Sequence, residues 1–162
     1  MTIAIYPGSF DPITKGHLDI AVRASRLFEK LIIGIYDRPV EKVVLFSTRE
    51  RVKLAREAVG DNPRIEVVSY KTLTGDFARK VNAQVMVRGL RMGGDFEKEF
   101  TLAMMNSKLF PDLEQLSLMS AVEYQFVSSS LIKEAASLGG NIAELVPLNV
   151  AHALLKKFGG KG

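Results

Sequence analysis

Short, continuously apolar runs alternate with segments of helical periodicity along most of the chain. The predicted strands are residues 3–6, 31–36, 65–69, 85–87 and 116–119. The predicted helices start near residues 17, 47, 77, 96, 130 and 149. Strands that are apolar throughout and separated by helices are typical of a parallel sheet covered on both faces. The sequence therefore predicts a doubly wound, Rossmann-like α/β fold with about five parallel strands and helices on both faces.

Two of the predicted helices carry signals at their starts. Ser47 and Glu50 have the spacing of a capping box, in which a hydroxyl and a carboxylate each accept a hydrogen bond from the backbone of the first turn. Asn149 follows Pro147 and is expected to be the N-cap of the last helix. Apolar residues at 96, 100, 103 and 104 predict one apolar face on the longer fourth helix.

The size of the chain suits one domain over residues 1–162, with the last few residues as a loose tail. There is no cysteine, which excludes disulfides, a thiolate nucleophile and a cysteine-based zinc site. No apolar run approaches the roughly 20 residues that span a bilayer. A strand-like segment begins at once after Met1, without the features of a signal peptide, so a cytoplasmic location is expected.

The net charge of +4 invites a nucleic-acid interpretation. The 22 basic residues are scattered among 18 acidic ones, and no basic run is interleaved with aromatic residues. A small polyphosphate ligand explains the same modest excess. We therefore expect neither nucleic-acid nor membrane partners.

Three polar segments follow predicted strands and should meet at one sheet edge, because ligands of such sheets bind beyond the carboxyl ends of the strands. These segments are residues 7–17, 88–91 and 124–130. The first contains neither the glycine fingerprint of dinucleotide-binding folds nor a Walker A loop. Instead, Gly16 leaves the N–H groups of a helix start open to a phosphate, and His17 lies at the same start.

The string from Gly8 to His17 resembles the nucleotidyltransferase superfamily in its Thr-x-Gly-His form. Further matches occur at residues 88–91, 95–97 with Glu99, 105–106 and 126–130. Together they resemble the bacterial phosphopantetheine adenylyltransferase family, over residues 3 to about 155. The resemblance implies transfer of the adenylyl group of ATP to 4′-phosphopantetheine, which gives 3′-dephospho-CoA and pyrophosphate. It also implies Mg²⁺ accompanying ATP and a homo-oligomer, a hexamer in the family.

The resemblance assigns the site residues by position. His17 would stabilise the transition state and bind ATP phosphate, without acting as a nucleophile. The residues expected at ATP are Ser9, Phe10, His17, Gly89, Leu90, Arg91, Glu99, Tyr124, Gln125, Phe126, Val127, Ser128, Ser129 and Ser130. The residues expected at the acceptor are Ser9, Lys42, Thr74 and Arg88. Asp11, Asp95 and Glu97 lack convincing metal-ligand spacing, so no protein metal site is assigned.

Several assignments have alternatives. Lys42 stands one residue later than the family pattern, and Thr74 replaces an aliphatic or methionine side chain. Glu99 could instead pair with Lys98 or Lys108. Arg88 and Arg91 could be surface charges, and the serines at 128–130 an ordinary helix cap. The same chemistry could act on another acceptor, such as nicotinamide mononucleotide, or the chain could be a non-catalytic nucleotide sensor or nucleic-acid-binding module.

Overall fold

A computed structural model describes residues 2–39 and 43–159. Its strands are β1 (Ile3–Gly8), β2 (Lys30–Tyr36), β3 (Ile65–Tyr70), β4 (Val85–Leu90) and β5 (Glu114–Met119). Its α-helices are α1 (Lys15–Leu27), α2 (Thr48–Val59), α3 (Thr74–Lys80), α4 (Asp95–Leu109), α5 (Ser129–Ser137) and α6 (Leu148–Lys157). A short 3₁₀ turn, Val122–Tyr124, precedes α5. Lys42 and the predicted tail after residue 159 lie outside the described residues.

The five strands form one parallel sheet in the order β3-β2-β1-β4-β5. The chain runs outward from β1 to β3, then returns to the other side of β1 for β4 and β5. This reversal opens a crevice between the carboxyl ends of β1 and β4, where ligands of doubly wound sheets bind. The predicted fold class is confirmed.

The core lies on both faces of the sheet because successive strand residues point to opposite sides. Leu31, Ile33 and Ile35 of β2 pack in a larger cluster with residues of α1, α2, α5 and α6. Ile32 packs on the opposite face with Phe77 of α3 and residues around Phe110, just beyond α4. Both faces are therefore covered, as the continuous apolar strands predict.

The capping box of α2 is confirmed, since Ser47 accepts from the Glu50 N–H and Glu50 accepts from the Ser47 N–H. The predicted cap of α6 is wrong. Pro147 occupies the N-cap position without a side-chain bond, and Asn149 lies inside the helix. Its amide instead donates to the Leu54 carbonyl and to Glu57 on α2, which joins the two helices.

Helix α4 differs from the other long helices because none of its residues is buried. Phe96, Phe100 and Met104 are 63%, 58% and 62% exposed. The predicted apolar face therefore exists, but within this chain it covers no core. None of the described helices combines the length and apolarity needed to cross a membrane.

Candidate active site

A cleft of about 280 Å³ opens at the carboxyl edge of the sheet, between the ends of β1 and β4 and the start of α5. All three polar segments of the sequence contribute to its wall. The predicted site residues that line it are Ser9, Phe10, His17, Arg88, Gly89, Arg91, Glu99, Tyr124, Val127, Ser128, Ser129 and Ser130. One concave site thus collects residues that are more than a hundred positions apart in the sequence.

Other predicted site residues do not line this cleft. Leu90, Gln125 and Phe126 are absent from its wall, and Phe126 is 61% exposed. Thr74 begins α3, where its hydroxyl lies 3.0 Å from that of Tyr70. Tyr70 is near enough to Arg88 for the two groups to influence each other electrostatically. The roles of these residues at a ligand stay predictions.

Strand β4 is longer than predicted and continues through Leu90. Arg88 and Gly89 therefore lie on the strand and not in a loop after it. Arg88 pairs in register with Ser117 of β5, which fixes its backbone. A side chain projecting from a paired strand is better positioned than one on a free loop, and this suits a group that must orient a ligand.

His17 is positioned by an unusual capping box at the start of α1. Thr14, the N-cap, accepts from the His17 N–H at 3.3 Å, and the His17 ring accepts in return from the Thr14 N–H at 3.1 Å through Nδ1. The His17 side chain takes the place of the Glu or Gln side chain that accepts this bond in the common capping box. The ring also packs edge-to-face against Phe10, with centroids 5.0 Å apart.

This cap determines the protonation of the His17 ring. A backbone N–H can only donate, so the Nδ1 atom that accepts from Thr14 carries no hydrogen. In the neutral ring the hydrogen then resides on Nε2, on the side turned away from the cap. His17 therefore offers a hydrogen-bond donor, and its Nε2 cannot remove a proton from another group.

The loop between β1 and α1 holds a strained residue against the site. Phe10 is 3% exposed and has a φ of 46°, a left-handed conformation that is uncommon for a bulky residue. Its ring packs against Tyr6 at 5.2 Å, and burial raises the pKa of the Tyr6 hydroxyl far above its ordinary value. A side chain on Gly8 would meet the Phe10 ring at 3.0 Å, so glycine permits this packing.

Arg88 and Glu99 form a bidentate ion pair inside the cleft. Arg88 donates from Nε and Nη2 to the two carboxylate oxygens at 2.8 and 2.7 Å, and from Nη1 to the Pro7 carbonyl at 3.2 Å. Burial alone would lower the pKa of Arg88, but Glu99 reverses the direction and raises it. The alternative pairings of Glu99 with Lys98 or Lys108 are wrong, because among the described residues Glu99 forms its ion pair with Arg88 and with neither lysine.

Arg91 is held in a similar way at the other end of the cleft. It donates to Asp95 at 2.9 Å and to the Val127 carbonyl at 2.9 Å, which links β4, α4 and the segment before α5. Burial acts to raise the pKa of Asp95, but the hydrogen bonds and charge of Arg91 outweigh it and lower that pKa. Arg88 and Arg91 are therefore not free surface charges.

The start of α5 closes one side of the cleft. Ser128 is the N-cap and accepts from the Leu131 N–H, as the serine run predicts. Ser129 donates to the Pro12 carbonyl at 2.7 Å, which holds this helix start against the β1–α1 loop. The first N–H groups of a helix have no intrahelical partner and favour anions. The cleft thus combines a helix start, two arginines and a histidine donor.

The carboxylates near the cleft already have partners. Asp11 is 3% exposed and accepts from Leu45 N–H, Phe46 N–H and the Lys133 ammonium group. Asp95 pairs with Arg91. Over residues 2–39 and 43–159, no three or more His, Asp or Glu side chains are grouped so that they could hold a metal ion.

Sequence reasoning missed several residues of the site. Four further residues line the cleft: Tyr6, Thr14, Lys98 and Ser120. Of these, only Thr14 had a signal in the sequence, because it belongs to the Thr-x-Gly-His motif. Arg51 does not line the cleft but contacts its wall from behind, and it gave no signal because it looks like an ordinary polar residue of an amphipathic helix. In the structure it is 1% exposed, and its guanidinium reaches the backbone at Ser9.

The fold and the cleft together define a nucleotidyltransferase-type site, and comparison with known proteins supports this class. The model of the cytidylyltransferase-like family matches residues 5–135. That range contains most of β1, all of β2 to β5, the Thr-x-Gly-His segment and the serine-rich start of α5.

Full-length relatives narrow the class. The chain is 54% identical over 159 residues to a phosphopantetheine adenylyltransferase of Roseiflexus sp. (strain RS-1), which covers 98% of this chain and 99% of the relative. It is 49% identical over 162 residues to the enzyme so named from Chloroflexus aggregans, with both chains fully covered. For Moorella thermoacetica the identity is 50% over 159 residues, or 98% and 99% of the two chains. The chain therefore belongs to the cytidylyltransferase-like family and, within it, to the phosphopantetheine adenylyltransferases.

Proposed function

We propose that this protein transfers the adenylyl group of ATP to 4′-phosphopantetheine, releasing pyrophosphate and forming 3′-dephospho-CoA in coenzyme A biosynthesis. The observation that carries the proposal is the convergence of His17, Arg88, Arg91 and the start of α5 on one cleft. This arrangement presents donors and positive charge to two polyanions.

The reaction is a direct displacement at phosphorus. An oxygen of the acceptor phosphate forms a bond to the α-phosphorus of ATP, and the bond from that phosphorus to the bridging oxygen of the β-phosphate breaks. Pyrophosphate leaves with the electron pair. The acceptor phosphate is already an anion at neutral pH, so the enzyme needs alignment and charge stabilisation more than a base.

His17 supplies that stabilisation from Nε2. Its hydrogen faces away from the Thr14 cap, and the ring is held by the cap and by Phe10. A donor fixed before the reaction begins loses little energy in reorganising as charge develops on the leaving group. This supports His17 as a transition-state stabiliser and argues against a role as general base.

The two ligands divide the cleft between them. We place ATP along Arg91, Gly89 and the start of α5, which all line the cleft, because the first N–H groups of a helix favour phosphates. The acceptor phosphate lies at Arg88, whose Nη1 and Nη2 each keep one N–H that is not donated to Pro7 or Glu99. Ser9 is shared between them, while Thr74 and Lys42 are assigned to the acceptor by resemblance.

Mg²⁺ enters this account as part of the substrate, Mg·ATP. Its ligands would be phosphate oxygens and water, because the cleft carboxylates are bonded to Arg88 and Arg91. The exposed apolar side chains on α4 support a homo-oligomer, since contiguous apolar surface of this kind is usually covered by a partner. The hexamer is proposed from the resemblance, and so is a cytoplasmic location.

A pyrophosphate-release assay with Mg·ATP and different acceptors tests the proposal. We expect release with 4′-phosphopantetheine and none above background with nicotinamide mononucleotide or with buffer alone. Dephosphorylated pantetheine is the matched control, since it lacks only the attacking group. Release that requires nicotinamide mononucleotide, or that is the same with pantetheine, would rule out the proposed acceptor.

A further inference from the structure

Arg51 is a buried arginine whose whole hydrogen-bonding capacity is used. It lies on α2 and is 1% exposed, the largest of the fully buried side chains. Its Nε donates to the Phe46 carbonyl at 3.1 Å. Its Nη1 donates to the carbonyls of Ser9 and Tyr36, both at 2.8 Å. Its Nη2 donates to the Asp37 carbonyl at 2.9 Å and the Thr48 hydroxyl at 3.0 Å, so all five N–H groups have an acceptor.

The acceptors of Arg51 lie where the ligand site is built. Ser9 follows β1, and Tyr36 and Asp37 stand at the end of β2, so the guanidinium ties together the carboxyl ends of two adjacent strands. Burial lowers the pKa of Arg51, and the carboxylates of Asp11 and Asp37 oppose that change. An apolar side chain would fill this space without the desolvation cost of a buried charge. Packing alone therefore does not explain why a charged side chain occupies the position of Arg51.

The bond to Ser9 supplies that reason. In a trans peptide the C=O and the following N–H point in opposite directions. Because the Ser9 carbonyl points to Arg51, the Phe10 N–H points away from it. In the described part of the chain that N–H donates no hydrogen bond to a protein acceptor. Ser9 and Phe10 both line the cleft, so the peptide between them is a ready donor for an anion.

We propose that Arg51 is a positioning residue, which acts from behind the cleft by orienting the Ser9–Phe10 peptide so that its N–H binds an ATP phosphate. Arg51 itself touches no ligand. The strained φ of Phe10, 46°, is held by this bond together with the ring packing on Tyr6 and His17. The inference rests on the proposed function, since it takes ATP as the ligand.

The helix that carries Arg51 also provides a matched control. Arg56 lies on α2 as well, and donates from Nε and Nη2 to the Val67 carbonyl of β3 at 3.1 and 2.9 Å. It does not line the cleft. Arg51→Lys and Arg56→Lys are thus the same substitution, in the same helix, at arginines that both bind backbone carbonyls. Only the first should disturb the peptide at Ser9.

The test measures ATP affinity by titration calorimetry without acceptor, beside kcat and KM, at a temperature where circular dichroism shows each variant folded. For Arg51→Lys we expect ATP affinity and kcat/KM to fall about 10- to 100-fold, the value of a hydrogen bond to a charged group. Arg56→Lys should stay within about 2-fold of the wild type. Equal ATP affinity in the two variants would overturn the inference and leave Arg51 a purely structural residue.

If Arg51→Lys does not fold, Thr48→Val replaces it, because this change removes one acceptor of the fork and keeps the guanidinium. A fall of about 3-fold in ATP affinity would then support the inference, and an unchanged affinity would overturn it. Failure of the wild type to bind ATP would instead contradict the proposed function, so the two claims fail separately.

Discussion

Replacing His17 by alanine is expected to lower kcat by roughly 10²- to 10³-fold, the usual effect of removing one donor to a developing negative charge. Its Nε2–H is the donor that the Thr14 cap directs away from the helix start. Alanine also removes half of the capping box, which costs about 1 kcal/mol of stability. Steady-state kinetics with both substrates saturating would measure the loss.

Two variants separate the cap from the chemistry. His17→Gln keeps a side-chain acceptor for the Thr14 N–H, as in the common capping box, so its stability should match the wild type while kcat stays low. The second histidine, His152, is exposed on α6, and His152→Ala should leave kcat unchanged. Near-normal kcat in His17→Gln would contradict the role of the imidazole.

Replacing Arg88 by methionine is expected to weaken acceptor binding and destabilise the fold together. The change leaves the Glu99 carboxylate, 12% exposed, without its partner, at a cost of about 3 kcal/mol. It also removes the guanidinium proposed to bind the acceptor phosphate, so KM for 4′-phosphopantetheine should rise about 100-fold. Thermal unfolding and kinetics at saturating ATP would measure the two effects.

A double variant distinguishes these effects. Arg88→Met with Glu99→Leu removes both charges, and replacing a whole buried ion pair is often neutral for stability. We expect the melting temperature to recover and the KM for the acceptor to stay high. If the double variant recovers normal acceptor binding, Arg88 has only a structural role.

The fold could be predicted because the sequence repeats one simple pattern. Continuous apolar strands such as 31–36 have no polar face to expose, so they require a sheet covered on both sides. The location of the site followed from the same rule, since polar segments after parallel strands meet at one edge. Helix α4 fits its predicted period but packs on nothing in this chain, which periodicity alone cannot foresee.

The hydrogen bonds and ion pairs within the site could not be predicted, because they join residues that are far apart in the sequence. Nothing in the residue spacing shows that Glu99 bonds to Arg88 or that Lys133 bonds to Asp11, 122 residues away. The sequence predicts Asn149 as a helix cap, whereas in the structure its amide donates to the Leu54 carbonyl of α2. Arg51 sits at a position where a helix commonly exposes a charge, and only the packed structure shows that it is buried.

Only part of the role of His17 could be predicted from the sequence. The Thr-x-Gly-His spacing indicated a phosphate site by resemblance, but the capping box between Thr14 and His17 determines which nitrogen carries the hydrogen. That detail turns a general expectation of phosphate binding into a specific chemical role. It also explains why the residue at position 14 has a hydroxyl, since the Thr14 side chain accepts from the His17 N–H.

The fate of the individual phosphates of ATP tests adenylyl transfer most directly. With 4′-phosphopantetheine as acceptor, we expect label placed in the α-phosphate of ATP to appear in 3′-dephospho-CoA, and label placed in the γ-phosphate to appear only in pyrophosphate. His17→Ala should slow the transfer of the α-label and the release of the γ-label equally. Label from the γ-phosphate in the acceptor, or α-label that leaves only as ADP or AMP, would contradict the proposed reaction.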